Sequence, residues 1–362
     1  MPLVALAVLA VCVLGGAGFV FANSHKAPVS TEDSPVLSVS EGLFQAPKED
    51  SDRFVMTLGG SSPTVVLKGE EYLEAGCHAV DKQKGADVTS KVQVDGSVDT
   101  GKVGEYTVTY TVRTDDGAQA SKQRTVKVVD DLGGKASGIS VLMYHYVYTE
   151  DDRPADTSNT NYLLDTKLAA QLKWLKENDY YYPSYQELRG FVDGTHSLPK
   201  KSVVLTFDDG QSGFLKHGIP VLEKYQVPAT SFIICNRSKS AQHIIEYASE
   251  YVSFQSHSYS CHEDGATSIG RGGHIYDLTE EQLTEDQRKA AKMLGQGEAF
   301  AYPYGDVSDV APAALSKAGV QCAFTINYGQ VHPGDDPMRL NRVRMFGESS
   351  LDGFIAQVKT GA

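Results

Sequence analysis

The sequence predicts an α/β chain: a parallel (β/α) barrel preceded by a small β-sandwich and an N-terminal apolar helix. Three observations carry this. From Ser140 onward, short apolar runs alternate with helical patterns, as repeated βα units require. Before that, strands of period two are separated by Gly- and Asp-containing turns. The first 22 residues are almost wholly apolar and carry no charged side chain.

Residues 1–22 are long enough to span a bilayer. They read as a membrane anchor or a secretory signal peptide, with Val20-Phe21-Ala22 as a small-residue cleavage site, although no Lys or Arg precedes the run. A buried core helix is the alternative. Either of the first two readings exports the rest of the chain. Residues 23–53 are rich in Ser, Pro, Glu, Asp and Lys and read as a flexible tether.

Residues 54–130 form the sandwich. Thr107 to Val112 and Thr125 to Val129 alternate β-branched or aromatic residues with outward positions, and turns fall at Asp95-Gly96 and Asp115-Asp116-Gly117. No catalytic constellation lies here, so the module reads as a spacer. Residues 130–136 read as a short hinge. Residues 138–362 form the barrel. Its strand candidates are 140–144, 203–207, 230–234, 252–256, 300–302, 322–326 and 341–345. Its helix candidates include 167–177, 213–225, 279–294, 310–317 and 351–358, with Asp165 and Thr279 placed as N-caps.

Composition narrows the function. Lys plus Arg number 33 against 46 Asp plus Glu, a net charge of −13, which argues against nucleic acid or an anionic membrane surface as a main partner. Beyond Cys12, in the apolar run, the cysteines are Cys77, Cys235, Cys261 and Cys322. An even number permits disulfides in an exported protein, and Cys235 and Cys261 follow neighbouring strand candidates. Unpaired buried thiols are the equal alternative.

Two stretches carry the chemistry. Thr206-Phe207-Asp208-Asp209-Gly210 sets adjacent carboxylates at the end of a buried strand. His257-Ser258-Tyr259-Ser260-Cys261-His262 sets two imidazoles just after another. Five residues along a helix is a rotation of about 140° from one face, so a strand end leading into a turn is the better carrier. One Asp and two His suit Zn²⁺ or a similar metal, and a second Asp beside them is a ready general base. A glycosidase is disfavoured, because adjacent Asp residues cannot straddle a glycosidic bond. Every such residue lies at or just past the C-terminal end of a strand candidate, where parallel barrels place their chemistry.

With Val141-Leu142-Met143-Tyr144-His145 and Phe300-Ala301-Tyr302-Pro303-Tyr304-Gly305, these stretches resemble the polysaccharide deacetylases of the NodB-homology type (carbohydrate esterase family 4). The His spacing is similar to that of the branch including poly-N-acetylglucosamine deacetylases, and the sandwich resembles bacterial surface Ig-like modules. The resemblance implies a distorted (β/α) barrel of seven or eight strands. It implies Asp209, His257 and His262 as ligands of one divalent metal, zinc first, with nickel or cobalt also suited. Asp208 would be the base, and the Tyr304 N–H the oxyanion donor. Tyr302, Pro303 and Tyr304 would wall the substrate groove. The Arg that commonly orients the base near this motif is missing; Arg342 or Arg344 would replace it, with Arg342 the choice.

The Leu-x-His motif that often supplies a general acid is absent after Gly305, where the only His is His332. His145 is placed near the site without a firm acid role. Tyr180-Tyr181-Tyr182 and Tyr302 either stack on sugar rings or pack in the core, and Trp174 reads as a packed helix residue. The implied activity is hydrolysis of a carbon–nitrogen bond: removal of N-acetyl groups from an N-acetylglucosamine-containing polysaccharide, either a cell-surface exopolysaccharide or peptidoglycan, with release of acetate. An O-acetyl glycan esterase and a non-enzymatic glycan-binding module are the alternatives.

Overall fold

The computed structural model describes residues 50–361. The apolar segment 1–22 and nearly all of the tether lie outside the described residues. Among those described, no helix is long and apolar enough to cross a membrane.

The sandwich comprises β1 (Phe54–Leu58), β2 (Thr64–Leu67), β3 (Cys77–Asp81), β4 (Ala86–Asp87), β5 (Val92–Asp95), β6 (Gly104–Arg113) and β7 (Gln119–Val129). One sheet runs β1-β3-β4 and the other β2-β7-β6-β5. The period-two pattern of β6 puts Val108, Tyr110 and Val112 into the core with Val66, Ala79 and Val126. A buried arginine, Arg124, crosses this core. It donates to Tyr110 Oη, Thr64 Oγ1, Ser61 O and Gly59 O at 2.8–3.1 Å, so the burial of its charge is offset by four acceptors.

The remainder starts with β8 (Ser140–Tyr144), β9 (Tyr146–Tyr148), β10 (Tyr162–Leu164), α1 (Asp165–Glu177) and α2 (Tyr185–Val192). It continues with β11 (Val203–Phe207), α3 (Ile219–Tyr225), β12 (Ala229–Ile233), α4 (Ser240–Glu246), β13 (Val252–Ser256) and α5 (Glu280–Leu294). It ends with β14 (Ala299–Ala301), α6 (Ala311–Lys317), β15 (Cys322–Tyr328), β16 (Leu340–Arg344) and α7 (Leu351–Thr360). Seven parallel strands close in the order β11-β12-β13-β14-β15-β16-β8. Register is set by pairs such as Phe207–Tyr144 and Val343–Leu142.

Several expectations shift. The strands expected at 230–234, 300–302 and 341–345 each begin and end one residue earlier. Asp165 is not the cap of α1. Leu164 holds that position, and Asp165 sits in the first turn, where its charge suits the helix dipole. Thr279 does cap α5, in a capping box with Gln282. The helix expected over 213–225 is split. Pro220 has no N–H to give the preceding turn, and a π-helical turn at Phe214–Gly218 takes up the mismatch before α3. Cys77, Cys235, Cys261 and Cys322 are all free and buried.

Segment 130–136 is not a free hinge. Ala136 N donates to Leu198 O at 2.9 Å, and Lys135 bridges Pro199. The sandwich is tied to the barrel by Thr57 Oγ1 to Ser249 O (2.6 Å), Ser61 N to Tyr182 O (2.7 Å) and the Lys122–Glu250 ion pair (2.8 Å). Tyr181 and Tyr182 are buried at this end, beside Ser202 at the start of β11. They are structural rather than part of the barrel mouth. Tyr180 packs on Trp174, which also meets Phe354 of α7.

Arg124 holds the Gly59–Ser61 corner that touches the barrel. Arg124→Ala strands its buried acceptors and is expected to destabilise the protein by about 3 kcal/mol, read as a lower urea midpoint. A change within about 0.5 kcal/mol would contradict this account of the core.

Candidate active site at the barrel mouth

The mouth is built from five strand ends. Asp208 follows β11, its N–H donating to Tyr144 O at 2.9 Å. Its carboxylate is 3% exposed and meets Arg342 of β16 in a two-pronged pair, both N–O distances 2.7 Å. Arg342 is 1% exposed, and it also donates to Thr325 O (2.9 Å) and Thr206 Oγ1 (3.2 Å). Burial would raise the Asp208 pKa, but the charge and hydrogen bonds of Arg342 outweigh it and hold the carboxyl below its ordinary value. Asp208 is therefore ionised and fixed.

Asp209 turns away from its neighbour by adopting a left-handed backbone, φ 72°. Gly210 follows at φ 59°, and a Cβ there would lie 2.7 Å from Ile233 Cδ1, so the turn demands glycine. Asp209 Oδ1 comes 3.3 Å from His257 Nε2 and 3.2 Å from His262 Nε2. Burial opposes its ionisation, but the two imidazoles prevail and keep its pKa well below the carboxylate range.

His257 follows β13. Its Nδ1 donates to Ala301 O at 2.7 Å, which leaves Nε2 as the ring nitrogen that faces Asp209 and can ligate a metal. Ser258 has φ 69°, and its Oγ accepts from Cys261 N at 2.9 Å, closing the turn that carries His262. Asp286 of α5 braces the same turn, accepting from Tyr259 N, Ser260 N and Ser260 Oγ. The ligand atoms of Asp209, His257 and His262 all lie within 4.8 Å of one another. Two imidazole lone pairs and a carboxylate oxygen, aimed at one point, fit a divalent metal.

Tyr304 forms the facing wall. Its backbone is left-handed, φ 60°, and its N–H has no acceptor among the described residues. Its ring lies 4.5 Å from that of His262. Gly305 allows this turn: a Cβ there would meet Ile326. Pro303 is buried beside it. Tyr302 is fully buried, and its hydroxyl donates to Met338 O at 2.9 Å, so its ring is not free to stack on a sugar. His145 lines the same pocket, its Nδ1 buried without a partner among the described residues; burial lowers its pKa and keeps it neutral. His332 lies elsewhere, its ring against Ser137 O before the start of β8.

Asp208, Asp209, His257, His262, His145 and Tyr304 line a cavity of about 230 Å³ with Asn161, Arg271 and Arg344. Asp286 and Asp306 were missed from sequence. Both accept backbone N–H groups from other segments, and nothing local in the sequence announces that.

Comparison with known proteins places the two domains in families. Residues 195–323 match the family model "Polysaccharide deacetylase", and residues 56–128 match "Bacterial surface protein, Ig-like domain". A poly-beta-1,6-N-acetyl-D-glucosamine N-deacetylase of Staphylococcus epidermidis is 29% identical over 211 residues, covering 54% of this chain and 70% of its own. The Staphylococcus aureus enzyme of that name is 23% identical over 225 residues, covering 58% and 74%. Among solved structures, IcaB from Ammonifex degensii superposes with a TM-score of 0.51 at 25% identity, covering 62% of this chain and 99% of its own. The Streptococcus pyogenes deacetylase PplD, in complex with acetate, gives 0.52 at 24%, covering 61% and 98%, a likeness of fold. The chain thus carries a polysaccharide deacetylase domain of the NodB type behind a bacterial surface Ig-like domain.

Proposed function

We propose that this protein removes N-acetyl groups from an N-acetylglucosamine-containing polysaccharide by metal-dependent hydrolysis, releasing acetate. The observation that carries the reading is the convergence of Asp209, His257 and His262 beside an ionised, Arg-held Asp208 in one pocket. The named N-deacetylase relatives favour the amide over an O-acetyl ester. Export, with surface tethering through residues 1–22, belongs to the same proposal and rests on that segment's apolar composition.

Asp209, His257 and His262 would hold the ion. A divalent ion there, zinc first and nickel or cobalt as alternatives, supplies Lewis-acid polarisation of the acetamide carbonyl and an acidified water. Asp208 accepts the proton of the attacking water, and Arg342 keeps its carboxylate aimed and charged. The Tyr304 N–H donates to the oxygen of the tetrahedral centre as charge develops there. The carbon–nitrogen bond then breaks. Asp208 would return that proton to the leaving amine: its low pKa makes the proton easy to give up. His145, neutral beside it, completes the pocket wall as a hydrogen-bond partner rather than a proton donor. The products are acetate and a sugar amine that is cationic near neutral pH.

Acetate release from an N-acetylglucosamine oligomer should be abolished by a chelator, restored by added zinc and lost in Asp209→Asn. Release that survives both the chelator and the variant would sink the metal-dependent reading. Release from O-acetyl xylan but not from the amide would convert it to an esterase.

Arg342→Gln removes the cation that holds Asp208 ionised, so the Asp208 pKa should rise. The acid limb of kcat/KM against pH should therefore move to higher pH, with kcat reduced about 100-fold. An acid limb in the wild-type position would remove Asp208 from the role of base.

A further inference from the structure

The pocket holds more positive charge than the hydrolysis above requires. Arg271 and Arg344 both line it. Neither has a carboxylate partner among the described residues, whereas Arg342 is fully matched by Asp208. Arg344 shares the inward-facing parity of Arg342, two residues on along β16, which lifts it from the barrel interior to the rim. Its Nη2 donates to Asn161 Oδ1 at 2.6 Å, which fixes the guanidinium plane. Its Nε is buried and lacks an acceptor among the described residues. A buried donor left in this state is costly unless a ligand supplies the missing oxygen.

Arg271 is placed by a separate device. Asp306, 4% exposed, accepts from Arg271 N at 2.9 and 3.1 Å and from Gly273 N at 3.0 Å. A Cβ at Gly270 would clash with Asp306, and one at Gly273 would clash with both Asp306 and Tyr304, so the loop lies close against the mouth. The two guanidinium charges are near enough to oppose each other. The Asp208 charge also reaches Arg344, but Asp208 is already paired with Arg342, and two cations lining one pocket with no carboxylate in ion-pair contact favour a planar carboxylate that accepts from both.

We propose that Arg271 and Arg344 form an anion subsite beside the reaction centre, taking a carboxylate on the sugar unit next to the N-acetyl group. The lactyl ether of a muramic acid and the carboxyl of a uronic acid share that chemistry. The inference rests on the deacetylase reading and narrows its substrate class to acidic N-acetylated glycans. The overall charge of −13 does not oppose it, because fields beyond about 8 Å are screened at physiological salt. The same two cations disfavour the product amine in the pocket and so favour its departure.

The test uses the full chain with added zinc, and three oligosaccharides of matched length. One is a neutral N-acetylglucosamine oligomer, one alternates N-acetylglucosamine with N-acetylmuramic acid, and one alternates it with glucuronic acid. The readout is the ratio of kcat/KM on each acidic oligomer to that on the neutral one, for wild type, Arg271→Gln and Arg344→Gln. The ratio should exceed one for at least one acidic oligomer, identifying the carboxylate source, and fall about tenfold in each variant. A wild-type ratio of one or less for both, or a ratio unmoved by either variant, would overturn the subsite. Arg271 lies exposed on a loop, so its variant reports even if Arg344→Gln fails to fold. If no oligomer releases acetate, the deacetylase reading fails, and calorimetric binding to the metal-free chain decides the subsite. Tighter binding of an acidic oligomer, lost in Arg271→Gln, supports it; equal binding of neutral and acidic oligomers overturns it.

Discussion

Asp208 and Arg342 meet in the barrel interior as a buried, two-pronged ion pair, and the rest of the mouth is arranged around that contact. Removing both charges from water is expensive, and the pair is tolerable only because the guanidinium also satisfies Thr325 O and Thr206 Oγ1. The consequence is a division of labour between neighbouring carboxylates. Asp208 is spoken for by Arg342, so it is charged, oriented and free to take a proton. Asp209 must face the other way, and its left-handed backbone turns it toward the two imidazoles.

That turn is one of three. Asp209, Ser258 and Tyr304 each hold a positive φ at a strand end, at a cost of about 1–3 kcal/mol apiece. Local contacts fix each one. Gly210 and Gly305 remove side chains that would collide with Ile233 and Ile326. Asp286 gathers the N–H groups between the two His residues. The Ala301 carbonyl sets the His257 tautomer. The strain is the geometric means by which strand ends that diverge aim a carboxylate, two imidazole lone pairs and one N–H at the same small volume.

Much of this was legible in the sequence because it is local. Asp-Asp-Gly after an apolar run, and two His after another, place chemistry at strand ends without any knowledge of tertiary contacts. Arg342 and Arg344 were both legible as late-strand candidates, and the structure brings Arg342 onto Asp208 and leaves Arg344 at the rim. What was not legible is what depends on distant segments meeting. The hinge expected at 130–136 is strapped to Leu198 and Pro199, and the Tyr180-Tyr181-Tyr182 run proved structural because the sandwich docks there. Tyr302 looked like a groove residue until its hydroxyl was found on Met338. The brace of Asp306 on the Arg271 loop joins two segments with no shared pattern.

The central claim is that Asp209, His257 and His262 bind one metal while Asp208 stays with Arg342. The most direct measurement is an anomalous difference map at the zinc absorption edge from crystals of the protein grown with zinc. The account predicts one peak about 2.0–2.2 Å from both His Nε2 atoms and an Asp209 oxygen, with the Asp208–Arg342 pair intact. A peak ligated by Asp208, or none between these residues at saturating zinc, would contradict it.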